Sequence, residues 1–200
     1  MRTLLNILYN FHWVVAGDAA RSAQPYLGLY GPFLRRNGIR SVINLRGHHP
    51  GFGWWDAEDA VCKREGIAHF DAMLDSKRLP LKEMLVALLD AFDAAPRPFL
   101  VKCSGGQDRT SFASALYLIH RGGWDAMARA EAQFARWPYL HFPKAHQRWL
   151  KAFLLYAFEQ SGGRPLGEWI RARYDPQAAA QALEPGSFAG IWEPWKPRSR

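Results

Sequence analysis

Short apolar runs alternate along the chain with longer segments in which apolar residues recur at helical spacing. Residues 39–46 predict a buried strand that ends at Gly47, and residues 67–74 form a second strand candidate. The run Phe99-Leu100-Val101 is wholly apolar, which is typical of a strand in the middle of a parallel sheet. Helical patterns occupy the segments 54–65, 80–94, 111–120, 124–136, 145–159 and 166–173.

This alternation predicts an α/β fold, with a central, mostly parallel sheet that is flanked by helices and joined by right-handed crossovers. We expect a main domain over residues 1–160 and a helical C-terminal extension over residues 161–200, made of one helix and a loosely packed tail. Trp192 and Trp195 indicate that the tail docks on the domain, with attachment to a membrane surface as the alternative.

The composition is that of a globular protein, since 48% of the 200 residues are hydrophobic and 22% are charged. No run of about 18 apolar residues is present, so no transmembrane segment is predicted. The two cysteines specify no disulfide framework and favour a reducing compartment. Asn6 and Asn10 interrupt the apolar N-terminal stretch, which disfavours a signal peptide, and we expect a cytoplasmic protein.

The formal net charge of +8 admits nucleic acid, a membrane surface or a phosphorylated substrate as the partner. The basic residues are dispersed, and the sequence carries no motif for nucleic-acid binding. We therefore expect no nucleic-acid partner, and the choice of partner depends on the motifs that follow.

The segment Cys103-x-x-Gly106-x-x-Arg109-Thr110 lies between an apolar strand and a predicted helix, where α/β proteins place ligand sites. Five residues between Cys103 and Arg109 let the backbone curl so that its N–H groups point inward, as in other phosphate loops. Gly105 and Gly106 supply the necessary backbone freedom. The helix N-terminus and the Arg109 guanidinium add positive charge, so a phosphate site is predicted. Its expected residues are Ser104, Gly105, Gly106, Gln107, Asp108 and Arg109.

The same positive charges act on the sulfur of Cys103. A helix N-terminus and a nearby cation lower the pKa of a thiol below its ordinary value of about 8.5. Cys103 is then a thiolate and a nucleophile at neutral pH, and Thr110 is placed to donate a hydrogen bond that stabilises the sulfur as a leaving group. The alternative is a buried cysteine in an ordinary glycine-rich turn, which the flanking strand and helix disfavour.

This segment resembles the signature of the cysteine-dependent protein tyrosine and dual-specificity phosphatases, His-Cys-x5-Arg-Ser/Thr. The stretches Asn10-Phe11-His12-Trp13-Val14-Val15, Arg21-Ser22-Ala23-Gln24-Pro25 and 38–46 look like the bacterial and fungal dual-specificity-like branch. The resemblance covers about residues 10–136. It implies that residues 1–160 have the phosphatase fold, that a cysteinyl-phosphate intermediate is hydrolysed by water, and that neither a metal nor a cofactor takes part.

The chain departs from the family pattern around the cysteine. Lys102 replaces the histidine that helps to set the loop and the acidity of the thiol, so its effect on the pKa of Cys103 stays open. Ser111 replaces a common glycine, which is tolerable at a helix start. Gln107 and Asp108 stand where inositide-directed members often carry lysines. A phosphotyrosine protein, a phosphoinositide and a small phosphate ester all remain as substrate classes.

Cleavage of a phosphate monoester needs a proton on the leaving oxygen, which in this family comes from an Asp on a loop a few residues before a proline. Asp75 lies on such a loop ahead of Pro80, and its position favours it as the general acid. Asp71 is the alternative, because it matches the family's usual distance from the cysteine better although it falls within a strand candidate. Either residue is otherwise a solvated turn carboxylate or a helix cap.

Other residues near the predicted site have two interpretations each. Arg46 ends a strand on the side of the Cys103 segment and either reaches the substrate or is a surface arginine. Arg21 and Gln24 look like a structural turn that recurs in the family, with contact to the site as the alternative. His48 and His49 lack the further ligands that a metal site needs. Cys62 either protects Cys103 through a disulfide or is a small buried hydrophobe.

The sequence therefore predicts a metal-independent phosphomonoesterase. In it Cys103 attacks phosphorus, Arg109 and the loop amides hold the phosphate oxygens, and Asp75 protonates the leaving group. One alternative is a phosphate-recognising binding module without turnover, which Lys102 permits. The other is a sulfurtransferase, which also uses a cysteine on a strand-to-helix loop.

Overall fold

The structure, a computed structural model, describes residues 4–26 and 28–194. Its strands are His12–Val15 (β1), Ala19–Ser22 (β2), Ser41–Asn44 (β3), Ala68–Asp71 (β4) and Phe99–Lys102 (β5). Its α-helices are Leu4–Leu8 (α1), Tyr30–Arg36 (α2), Gly53–Glu65 (α3), Lys82–Ala94 (α4), Asp108–Gly122 (α5), Met127–Ala132 (α6), Trp149–Ser161 (α7), Leu166–Arg173 (α8) and Pro176–Ala182 (α9). Single 3₁₀ turns, Trp124–Ala126 and Ala145–Gln147, precede α6 and α7.

The strands form one sheet in the order β1-β2-β5-β3-β4. Only the β1–β2 pair is antiparallel among these strands, and the other neighbours run parallel. Strand β5, which contains the apolar run Phe99-Leu100-Val101, lies in the middle, between β2 and β3. The predicted fold class, a mostly parallel sheet flanked by helices, is confirmed.

Alternation along β5 divides the core between the two faces of the sheet. Phe99 and Val101 face a large core that includes residues of α4, α5, α7 and α8. Leu100 faces a smaller core built with residues of α2 and α3. By the same alternation, Cys103 lies on the side of Phe99 and Val101, and Lys102 lies on the side of Leu100. Cys103 and Lys102 are therefore on opposite sides of the sheet.

The C-terminal extension is more ordered than its prolines and glycines indicate. Residues of α8, α9 and the turn after them belong to the large core, with Trp169 and Tyr174 fully buried. The prediction of a loosely packed tail after residue 173 is wrong for α9, which Asp175 caps by accepting a hydrogen bond from Gln177 N–H at 2.9 Å. Trp195 lies outside the described residues.

The parallel strands bring their carboxyl ends to one edge of the sheet. The segments that leave this edge are residues 23–25, 45–47, 72–79 and 103–107, after β2, β3, β4 and β5 respectively. All the predicted site residues lie on these segments, at the ends of these strands or at the start of α5, so the topology gathers them at one edge. No helix in the described part of the chain is long and apolar enough to cross a membrane.

Candidate active site

Residues 103–110, here called the Cys103 loop, curl between β5 and the first turn of α5. The sulfur of Cys103 accepts a hydrogen bond from the Thr110 hydroxyl at 3.1 Å, as the sequence predicts. Arg109 Nη2 donates to the hydroxyl of Ser104 at 2.9 Å, which links the two ends of the loop. Cys103 is only 3% exposed, whereas Ser104 and Gly105 face solvent at the loop's open side.

Opposing effects set the acidity of Cys103. Burial favours the neutral thiol and raises its pKa. The charge of Arg109, the Thr110 hydroxyl and the backbone N–H groups of Gly106 and Thr110 outweigh burial, so that the pKa lies below its ordinary value. The loop therefore favours the thiolate, the nucleophilic form of the residue.

Gly106 fixes the loop to the end of β2. Its φ of +64° is left-handed, and a Cβ at this position would lie 2.4 Å from the backbone nitrogen of Ala23. Its carbonyl accepts hydrogen bonds from Arg21 Nη2 at 3.0 Å and from Asn10 Nδ2 at 3.2 Å. Because the carbonyl is held outward in this way, the N–H groups of the loop are free to face the sulfur.

Arg21 is a completely buried cation behind the Cys103 loop. Besides Gly106, it donates to the Ser111 hydroxyl at 2.9 Å and to the backbone and side-chain oxygens of Gln133 at 3.0 and 3.1 Å. Ser111, which departs from the family's glycine, therefore serves as an acceptor for this arginine. The sequence offered no local signal for Gln133, which contacts Arg21 from a distant turn.

Lys102 lies on the other side of the sheet, where it is also fully buried. Its ammonium group contacts Glu58 Oε2 at 2.6 Å and Gln24 Oε1 at 2.7 Å. Burial lowers the pKa of Lys102, while the Glu58 carboxylate opposes that shift. Gln24 also receives the Cys103 loop, because its backbone N–H donates to the Ser104 carbonyl at 3.0 Å. Lys102 is thus part of the support of the loop.

Glu58 completes this buried cluster, and sequence reasoning missed it. Its carboxylate accepts from Gln24 Nε2 at 2.6 Å and lies 3.0 Å from His69 Nε2. Burial raises the pKa of Glu58, but the contacts with His69, Lys102 and Gln24 outweigh burial and lower it. A signal was present, since Glu58 shares a helical face with the buried Trp55 and Cys62. A charge on such a face needs a buried partner.

Asp108, expected among the phosphate-binding residues, has its carboxylate occupied by the protein. It accepts from Gln147 Nε2 at 2.8 Å and lies 3.4 Å from His141 Nε2. Burial raises the pKa of Asp108 above its ordinary value, and the charges of His141 and Arg109 oppose that shift. Gln107, the residue before α5, lies half-buried.

Asp71 lies at the end of β4 among hydrogen-bond donors. It accepts from Asn44 at 2.7 Å, from the Trp55 indole at 3.0 and 3.1 Å, and contacts His48 at 3.0 Å. Burial raises the pKa of Asp71, but the donors from Asn44, His48 and Trp55 outweigh it and keep the pKa below its ordinary value. A carboxylate that accepts so many hydrogen bonds is a poor proton donor.

Asp75 lies on the segment 72–79, here called the β4–α4 loop. One of its oxygens accepts from the Lys77 N–H at 2.8 Å, a local turn that orients the carboxylate. The next residue, Ser76, receives a 3.3 Å hydrogen bond from Gln147 Nε2, the same nitrogen that donates to Asp108. A single side chain therefore connects the β4–α4 loop to the Cys103 loop.

Arg46 adds a second guanidinium to this edge. Its Cζ lies 3.4 Å from the centre of a Trp54 ring, and its Nη1 is buried without a hydrogen-bond partner in the described structure. Burial lowers the pKa of Arg46, and the charge of Arg109 lowers it further, so the two cations are close enough to repel. An anion between them would relieve this repulsion.

Cys62 is a buried free thiol on α3, in the smaller core, whereas Cys103 belongs to the large core across the sheet. Burial raises the pKa of Cys62 to about 12. These features fit the interpretation of Cys62 as a small buried hydrophobe and place it on the other side of the sheet from Cys103. Residues 4–26 and 28–194 contain no cluster of His, Cys, Asp and Glu that could hold a metal ion.

Comparison with known proteins gives structural matches only. No family model and no curated protein matches the sequence. TpbA of P. aeruginosa is 18% identical, with a TM-score of 0.51 over 88% of this chain and 91% of that chain. The core catalytic domain of the PP-IP phosphatase SIW14 from S. cerevisiae is 19% identical, with a TM-score of 0.55 over 71% and 83%. A putative phosphatase from Shewanella putrefaciens CN-32 is 18% identical, with a TM-score of 0.57 over 77% and 97%.

These likenesses confirm the fold that the resemblance to the cysteine-dependent phosphatases implied. The matched structures share it with this chain at low sequence identity, so the chemistry of the site has to be argued from its own residues.

Replacing Thr110 by Val should raise the pKa of Cys103, because the change removes a hydrogen bond to the thiolate and preserves the volume of the side chain. We expect the rate of alkylation by iodoacetamide at neutral pH to fall about tenfold, and its rise with pH to move to higher pH. Thr110→Ser keeps the hydroxyl and is the control. A Thr110→Val profile that superimposes on the wild type would show that the hydroxyl does not stabilise the thiolate.

Replacing Lys102 by Met should lower the free energy of unfolding by about 3 kcal/mol, because the buried Glu58 carboxylate loses its lysine partner and keeps only His69 and Gln24. Urea unfolding measures this change. The control is Lys151→Met, which breaks an exposed contact with Glu131 and should cost less than about 1 kcal/mol. Adding Glu58→Gln to Lys102→Met should recover part of the loss. Equal costs for Lys102→Met and Lys151→Met would contradict the buried pair.

Proposed function

We propose that this protein is a metal-independent phosphomonoesterase, similar to the tyrosine and dual-specificity phosphatases, that acts through a cysteinyl-phosphate intermediate. The observation that carries the proposal is the environment of Cys103. A sulfur with a lowered pKa lies in a loop of inward N–H groups, at the N-terminus of α5 and beside Arg109. The same loop can bind a phosphate dianion and present a nucleophile to it.

In the first step the Cys103 thiolate attacks phosphorus and forms an S–P bond, while the bond from phosphorus to the leaving oxygen breaks. Arg109 and the N–H groups of residues 104–109 hold the equatorial oxygens. Asp75 gives its proton to the leaving oxygen, so that an alcohol departs rather than an alkoxide. The hydrogen bonds that occupy Asp71 favour Asp75 for this role.

In the second step water attacks phosphorus, the S–P bond breaks, and inorganic phosphate leaves. The Asp75 carboxylate takes the proton of the attacking water, which restores the acid. The Thr110 hydroxyl, 3.1 Å from the sulfur, stabilises the departing thiolate. Atoms and charge balance over the two steps without a metal or a redox partner.

Several classes of phosphorylated substrate fit this chemistry. A structure of P. aeruginosa TpbA contains pTyr, one of PTPMT1 contains PI(5)P, and SIW14 is described as a PP-IP phosphatase. For this chain we propose a phosphotyrosine protein, a phosphoinositide or a small phosphate ester. Arg46, with its unpartnered Nη1, is a candidate for contact with the same anion. A reducing compartment such as the cytoplasm would keep Cys103 reduced, so that its thiolate is available for the mechanism.

The purified protein should hydrolyse p-nitrophenyl phosphate in the presence of EDTA and a reductant, and Cys103→Ser should abolish turnover while the protein still binds phosphate. Activity that EDTA removes would contradict the metal-independent mechanism. Absence of turnover with retained phosphate binding would favour the binding-module alternative. Thiocyanate production from thiosulfate and cyanide would favour the sulfurtransferase.

Replacing Asp75 by Asn should lower kcat by about 10²–10⁴-fold, because the leaving oxygen loses its proton donor. The loss should be greater for phenyl phosphate than for p-nitrophenyl phosphate, whose leaving group needs protonation less. Asp71→Asn is the matched variant, measured together with its thermal stability. If Asp71→Asn produces this leaving-group dependence and Asp75→Asn does not, the assignment of the acid is wrong.

A further inference from the structure

The last described residues of the chain run alongside the β4–α4 loop. We call residues 187–194 the C-terminal strap. Backbone hydrogen bonds join the two segments: Ala189 N–H to the Lys77 carbonyl at 2.6 Å, Leu79 N–H to the Gly190 carbonyl at 2.9 Å, and Trp192 N–H to the Leu79 carbonyl at 2.8 Å. This is the hydrogen bonding of a short parallel strand pair, with Leu79 beside Ile191. The loop that carries Asp75 is therefore held by the far end of the chain.

Trp149, at the start of α7, ties both segments to the core. Its backbone N–H donates to the Ser187 carbonyl at 3.2 Å, and its indole N–H donates to the Ser76 carbonyl at 3.1 Å. Trp149 is fully buried, so these bonds are shielded from water. The strap and the residue after Asp75 thus share a rigid anchor.

The strap and the loop also enclose a cleft of about 410 Å³. Its lining residues are His49, Met73, Asp75, Arg78, Trp192, Glu193 and Pro194. Met73 pairs with Arg46 across an isolated β-bridge, so the cleft lies at the same edge of the sheet as the Cys103 loop. The candidate proton donor therefore opens into a space of which the strap forms one wall.

We infer that the C-terminal strap is part of the active site: its backbone positions the Asp75 loop, and Trp192 forms a wall of the pocket for an aromatic leaving group. This inference rests on the proposed function, with Asp75 as the acid. Trp192 supplies a flat apolar surface and Met73 a polarisable one, which together suit the ring of an aryl phosphate. Trp192 touches the leaving group, whereas the strap's backbone is a positioning element that acts through Asp75.

Two substitutions at one residue separate these roles in the full-length protein. Trp192→Ala removes the wall and keeps the N–H that donates to Leu79. Trp192→Pro removes both, because proline has no N–H. Trp13→Ala is the matched control, since Trp13 lies on β1, at the opposite edge of the sheet from β4. Steady-state kinetics with p-nitrophenyl phosphate and phenyl phosphate, and thermal unfolding, are measured for each.

Trp192→Ala should raise KM for both aryl phosphates about fivefold and leave kcat within about twofold. Trp192→Pro should also lower kcat, and about tenfold more for phenyl phosphate than for p-nitrophenyl phosphate, because a displaced acid harms the poorer leaving group most. In an Asp75→Asn background the same substitution should leave the ratio of the two kcat values unchanged, since no acid remains to be displaced. Trp13→Ala should change neither constant.

A purely structural strap would give a different result. Both Trp192 variants would then unfold at lower temperature, while KM and the ratio of the kcat values stay within about twofold of the wild type, and the inference would be wrong. If Trp192→Pro does not fold, an unchanged KM in Trp192→Ala overturns the pocket wall by itself. An inactive wild-type protein overturns the proposed function and this inference with it, whereas an active wild type with unaffected variants overturns the inference alone.

Discussion

A thiolate that is almost completely buried is unstable unless positive charge and hydrogen-bond donors surround it. Most of the polar architecture of this protein follows from that constraint. The N–H groups of Gly106 and Thr110, the Thr110 hydroxyl and the Arg109 guanidinium together outweigh the burial of Cys103. Each of these groups has to face the sulfur, and contacts from Arg21 and Asn10 to the Gly106 carbonyl help to hold the loop in that conformation.

The support of the loop consists of two buried cations, one on either side. On one side, Arg21 donates hydrogen bonds to the Gly106 carbonyl, to the Ser111 hydroxyl on α5 and to Gln133. Lys102 lies on the other side and is compensated by Glu58, with Gln24 between the pair and the Ser104 carbonyl. Both cations have acceptors, so neither costs what an unpaired buried charge would cost. Lys102, which stands where the phosphatase signature has histidine, is thus accompanied by a counter-charge on α3.

The sequence analysis succeeded where a pattern is local. Segments with long helical periodicity form α3, α4, α5, α7 and α8, because an amphipathic helix is stable when its apolar face packs against the core. β1 and β2 were not predicted. The buried strand β2 contains the polar residues Arg21 and Ser22, which interrupt the apolar run that marks β5 in the sequence.

The difference between local and long-range contacts also explains which site residues could be predicted. The spacing from Cys103 to Thr110 predicts a loop and a hydrogen bond that are both present, since neighbours in sequence are constrained to be neighbours in space. Asn10, Glu58, Gln133 and Gln147 come from distant segments, and their contacts exist only after the sheet and helices have assembled. An isolated polar residue in a sequence does not indicate which distant group it will meet. Only Glu58 carried a trace of its role, as a charge on an otherwise buried helical face.

The Cys103 loop and the β4–α4 loop are held in place by different parts of the fold. The Cys103 loop is held by β2, α3 and α5, which assemble around the central sheet. The β4–α4 loop is held by Trp149, Gln147 and the C-terminal strap, all of which lie more than sixty residues further along the chain. Cys103 and Asp75 are therefore supported by separate parts of the protein. Gln147, which bonds both Ser76 and Asp108, connects the two loops. Local opening of the C-terminal part would then displace Asp75 more than the Cys103 loop.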